Sequence, residues 1–100
     1  MQLIGNVSSF KSDSITEVII EGESLLLVSA DNQFYLVENK CCHFGRALVD
    51  ADIKGTEIIC PQHGISFSME TGAVVNRPYE NCDKLRVFRV VQQADSLYRA

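Results

Sequence analysis

The stretch Ser24-Leu25-Leu26-Leu27-Val28-Ser29-Ala30-Asp31-Asn32-Gln33-Phe34-Tyr35-Leu36-Val37-Glu38 holds two apolar runs of strand length separated by Asp31-Asn32. Both turn residues tolerate a left-handed backbone, so the pair predicts a tight hairpin joining strands over 24–29 and 33–38. On either side of this hairpin, runs rich in Val, Ile, Phe and Tyr, bounded by Gly, Asn, Asp and Ser, predict further strands. They fall near 3–7, 15–20, 56–59, 65–69, 73–75 and 85–91. Another hairpin is expected at Glu70-Thr71-Gly72, where Gly72 can supply a positive φ. No window longer than ten residues spaces its apolar residues for a helix, so the expected class is mainly antiparallel β.

The chain has 100 residues, 46% of them hydrophobic, which predicts one globular unit over 1–100 with a modest core. Nine Lys and Arg against thirteen Asp and Glu give a net charge of −4. That balance lacks the electrostatic footprint of a nucleic-acid binder or of an anionic-membrane binder, and a basic or neutral partner fits better. The apolar run at 25–30 is far too short to span a bilayer. The first residues show no basic n-region, apolar h-region or cleavage site, so the expected address is the cytoplasm. Four Cys in that compartment read as metal ligands or free thiols before disulfides.

Two segments resist the strand reading: 39–50 and 60–64. Each holds one of the chain's two His, and each His follows a Cys closely. Cys41-Cys42-His43 has the form C-x-H, and Cys60-Pro61-Gln62-His63 has the form C-x-x-H. Two thiolates and two imidazoles on two short loops suit either one tetrahedral zinc or a diiron cluster, and ligand softness alone does not choose. Structural zinc sites of mixed type usually pair like ligands on one element, whereas here each loop mixes Cys with His. A mixed loop makes sense if the two Cys go to one iron and the two His to the other.

These residues resemble the Rieske ferredoxins, through Cys41-x-His43-x-Gly45-x-x-Leu48 and Cys60-Pro61-x-His63-Gly64-x-x-Phe67, followed by Thr71-Gly72. Sixteen residues separate His43 from Cys60, within the spacing usual for that family. The resemblance implies a Rieske-type antiparallel β-sandwich with a small cluster-binding subdomain of loops at about 39–78. It implies a 2Fe-2S cluster held by Cys41 and Cys60 on one iron and by His43 and His63 on the other. Pro78 would belong to a third loop covering the cluster. Gly45 and Gly64 would let backbone N–H groups approach the sulfides, while Leu48, Phe67 and Pro78 would shield the site. Cys42 and Cys82 fall outside the pattern and read as spectators.

High-potential members of that family carry an extra Cys in each ligand loop, and Ser and Tyr hydroxyls that donate to cluster sulfur. Here Arg46 and Gln62 occupy the Cys positions, and Ile65 and Phe67 occupy the hydroxyl positions, with the neighbouring Ser66 as the alternative hydroxyl if it turns inward. The low-potential ferredoxin type is expected. The resulting expectation is a one-electron carrier, not an enzyme, moving electrons from a flavin reductase to a terminal oxygenase and acting as a monomer. The alternatives are a small Rieske subunit of a larger redox enzyme, such as assimilatory nitrite reductase, and a structural zinc module. Partner docking is expected at the cluster tip, on an apolar patch of Phe44, Ile65 and Pro78.

Overall fold

A computed structural model of the chain describes residues 1–41, 45, 47–61, 64–75 and 83–100. Its ten strands are β1 (Gln2–Asn6), β2 (Ser14–Ile20), β3 (Glu23–Ala30), β4 (Gln33–Glu38), β5 (Asp52–Lys54), β6 (Glu57–Ile59), β7 (Ser66–Ser68), β8 (Val87–Phe88), β9 (Val90–Gln93) and β10 (Ser96–Arg99). They form three antiparallel sheets in the orders β1-β10-β9, β2-β3-β4-β8 and β5-β6-β7. The mainly antiparallel β class is therefore observed. Among the described residues the sole helical element is a single 3-10 turn at Val7–Ser9, and no helix is long and apolar enough to cross a membrane.

The unbroken apolar run of β3 explains the layering. Side chains alternate across a strand, so consecutive apolar residues are satisfied only if both faces are covered. Leu25 and Leu27 point into a core shared with Leu36 of β4 and Leu97 of β10. Leu26, Val28 and Ala30 point the other way, into a core shared with Val37, Ile58 of β6 and Phe67 of β7. The β2-β3-β4-β8 sheet is thus the middle layer, with the β5-β6-β7 sheet and its loops on one face. The expected Asp31-Asn32 hairpin is present, with φ of 54° and 61°. A second two-residue turn, Glu21-Gly22, joins β2 to β3 with φ of 53° and 79°.

The far end of the chain departs from the sequence expectation. The strand expected at 85–91 is split at Arg89, because β8 pairs with β4 and β9 pairs with β10. The strand crosses from one sheet to the next, and Arg99 of β10 stacks over the Phe88 ring at 4.2 Å. The stretch 73–75 supplies one bridge, Phe67 to Val74, and no full strand. The sequence reading missed β5 and β10, which are short and carry few apolar residues. Arg86 locks the start of β8 in place: its backbone N–H donates to Glu38 Oε1 at 2.9 Å, and its guanidinium pairs with Glu23.

Gly72 closes the 73–85 segment at its base. Its φ is +81°, and a Cβ placed there would lie 1.9 Å from the Leu85 carbonyl oxygen, which is backbone. The Leu85 N–H donates to the Gly72 carbonyl at 2.8 Å, and the Gly72 N–H donates to the Ser68 carbonyl at 2.7 Å. Gly72→Ala is expected to cost roughly 2–4 kcal/mol, from left-handed strain plus displaced hydrogen bonds. Gly22→Ala has similar φ but open space around it, and should cost only about 1 kcal/mol. Denaturant unfolding of both variants checks this; equal losses would mean that the Gly72–Leu85 contact contributes nothing.

Candidate metal centre

Cys60 sits immediately after β6, in a loop that returns to β7. The loop is closed at its base: the Cys60 N–H donates to the Ile65 carbonyl at 2.8 Å, and the Gly64 N–H donates to the Cys60 carbonyl at 2.9 Å. Gly64 has φ of 69° with nothing near its missing Cβ, so glycine is required there by backbone conformation and not by crowding. Its own N–H is engaged with the Cys60 carbonyl. Cys41 follows β4 by three residues. Its loop exits at Leu48, whose N–H donates to Asn39 Oδ1 at 2.7 Å and whose carbonyl accepts from Ala51 at 3.0 Å.

The fold brings the two Cys together. Cys41 and Cys60 are each 1% exposed and belong to the same buried group as Leu48, Ile58, Ile65 and Phe67. The central sheet supplies one loop and the β5-β6-β7 sheet the other, so the pairing exists only after the two layers pack. His43 and His63 lie outside the described residues, as do Cys42, Phe44, Arg46, Gln62, Pro78 and Cys82.

The described donors fit an iron–sulfur group. Two soft thiol donors stand at the ends of separate loops, inside an apolar shell, each with a His two or three residues further along the sequence. Leu48 and Phe67, both 0% exposed, contribute to that shell as expected. Ile65 does not behave as expected: it is 0% exposed and packs into the core, so it cannot form part of a docking patch. Phe67 shares that core, while Ser66, the next residue along β7, is also buried.

Charge around the centre is mixed. A cavity of about 280 Å³ beside Cys41 is lined by Lys40, Lys84 and Arg86 together with Glu38 and Asp83. A hydrogen bond from the Arg86 guanidinium to Glu23 holds its pKa above the ordinary value. A separate cavity of about 480 Å³ is lined by Asp13, Asp31, Asp50 and Asp52, so part of the excess acid gathers away from Cys41. Sequence reasoning missed Asn39 and Leu85. Their partners lie 9 to 22 residues away for the Asn39 side-chain amide and thirteen residues back, at Gly72, for Leu85, so no local pattern marks them.

Comparison with known proteins agrees with this geometry. The model of the Rieske [2Fe-2S] domain matches residues 1–93. The ferredoxin component of the naphthalene 1,2-dioxygenase system of Pseudomonas putida is 29% identical over 72% of this chain and 69% of its own length. Apoptosis-inducing factor 3 of Homo sapiens is 28% identical over 93% of this chain, but the chain spans only 15% of that protein's length. A chain from the solved complex of reduced oxygenase and oxidized ferredoxin in carbazole 1,9a-dioxygenase is 28% identical and superimposes with a TM-score of 0.85, covering 98% of this chain and 90% of that one. With two buried thiols on paired loops and a family match over 93 of its 100 residues, the chain belongs to the Rieske [2Fe-2S] domain family, whose metal group is a Rieske-type 2Fe-2S cluster and not a structural zinc ion.

Proposed function

We propose that this protein is a one-electron carrier that takes electrons from a flavin-dependent reductase and passes them to a terminal oxygenase. In this reading residues 1–100 act as one unit, monomeric and cytoplasmic, with 39–78 as the cluster-binding part. Cys41 and Cys60 hold one iron, and His43 and His63 hold the other. The observation that carries the proposal is the meeting of Cys41 and Cys60 in one apolar core from two different sheets. The relatives that are ferredoxin components of dioxygenase systems support the oxygenase as acceptor. The chain is an electron-transfer component and not itself the catalyst.

When bound, the cluster supplies reversible one-electron exchange. The surrounding residues decide how readily the electron is accepted. Leu48, Ile65 and Phe67 exclude water and lower the local dielectric, which disfavours the extra negative charge of the reduced state. Ile65 and Phe67 also bring no O–H donor to the site. Neutral imidazoles in place of two thiolates act in the opposite direction and keep the potential above that of an all-Cys ferredoxin.

Electron paramagnetic resonance of the dithionite-reduced protein, with assay of iron and acid-labile sulfide, tests the assignment directly. A protein holding zinc and no labile sulfide would overturn it. Cys41→Ser or Cys60→Ser is expected to lose the cluster and most of the folded state, because cluster binding and folding are coupled. Cys42→Ser and Cys82→Ser should retain both, as read from visible absorbance and circular dichroism.

The reduction potential is expected at the low end of the Rieske range, on the order of −150 mV. Ile65→Ser combined with Phe67→Tyr places hydroxyls where the high-potential members carry them, and each new O–H to sulfur bond stabilises the reduced form. Protein-film voltammetry should show an upward shift in the double variant. A wild-type value near +300 mV, at the top of the range, or no shift in the variant, would place the chain in a different branch of the family.

A further inference from the structure

Asn39 stands between β4 and the first ligand loop, and its side chain joins three parts of the fold. Its Oδ1 accepts the Leu48 N–H at 2.7 Å, nine residues further on. Its Nδ2 donates to Ser24 Oγ at 3.1 Å and to Glu17 Oε2 at 3.5 Å. The Ser24 hydroxyl donates to the same Glu17 oxygen, and the Asn39 backbone N–H donates to the Ser24 carbonyl at 3.3 Å.

The chemistry of these groups fixes which way the amide faces. An ionised carboxylate only accepts hydrogen bonds, so Glu17 engages the Ser24 hydrogen and leaves the Ser24 oxygen as an acceptor. Both partners on the β2–β3 side therefore require the NH2 half of the Asn39 amide. The carbonyl half is left facing the loop, where the Leu48 N–H requires an acceptor. Leu48 is fully buried beside Cys41 and Cys60, so holding its backbone sets the exit of the loop that carries Cys41.

We propose that Asn39 is the positioning residue of the first ligand loop, latching the segment around Cys41 to β2 and β3 through an amide whose orientation is dictated by Glu17 and Ser24. The proposal rests on the ligand reading above, since it assigns the latch to a loop that holds the cluster. An amide of this length both accepts from Leu48 and donates toward Glu17. Ala does neither, and ionised Asp accepts but sets its second oxygen against the Glu17 carboxylate.

Three variants test the latch in the cluster-loaded protein: Asn39→Ala, Asn39→Asp, and Asn39→Asp combined with Glu17→Gln. The readouts are the g-values of the reduced protein and the lifetime of the visible absorbance in the presence of a ferrous chelator. Asn39→Ala is expected to shorten that lifetime roughly tenfold, the scale of one part-buried hydrogen bond, and to shift the g-values. Asn39→Asp should do the same. Adding Glu17→Gln restores a donor opposite the new carboxylate at unchanged net charge, so lifetime and g-values should return toward wild type. Wild-type behaviour in Asn39→Ala, or a double variant no better than Asn39→Asp, would overturn the latch. If Asn39→Ala fails to fold, the Asp pair still decides. A wild-type protein without the Rieske signal would instead overturn the cluster reading itself.

Discussion

Burial of β3 on both faces is the constraint that organises this molecule. A strand carrying Leu25, Leu26, Leu27 and Val28 in succession exposes apolar surface whichever way it is turned, so it is stable only between two layers. The chain supplies one of those layers from its two ends and the other from its middle. The β1-β10-β9 sheet covers the Leu25 and Leu27 side, and the β5-β6-β7 sheet covers the Leu26 and Val28 side. The second of these packings also places Cys60 and Cys41 in one buried group.

The ligand loops hang from this core by a small number of specific contacts. The Cys60 loop closes on itself through backbone hydrogen bonds, with the left-handed Gly64 making the turn possible. Beyond Cys41, the Leu48 N–H is held by the Asn39 side chain. The 73–85 segment is closed where Gly72 allows the Leu85 backbone to approach within a distance that no side chain would tolerate.

Thiol burial links this architecture to electron transfer. A carrier that changes charge by one electron needs surroundings that do not rearrange when it does, and fully buried Leu48, Ile65 and Phe67 offer few dipoles or waters to move. The same shell penalises added negative charge. Four Asp line one surface cavity, and a mixed set of charged groups lines the cavity beside Cys41.

The sequence by itself determined the β class, the central hairpin and the chemistry of the centre. Those features are written in local patterns: strand-length apolar runs, Asp31-Asn32 with its tolerance of positive φ, and the Cys and His spacings within single loops. Short strands with few apolar residues, β5 and β10, left no such pattern, and the division of 85–91 at Arg89 reflects which sheet each half finds as neighbour. The sequence places Ile65 in an apolar surface patch; packing with Ile58, Phe67 and the central sheet's Leu26 in one core puts it at zero exposure. The positive φ of Gly72 was legible in the sequence, but its contact with Leu85 and the role of Asn39 were decided by tertiary structure, because a backbone approach between Gly72 and Leu85, and an amide reaching Glu17 and Ser24, depend on distances in space that spacing along the chain does not encode.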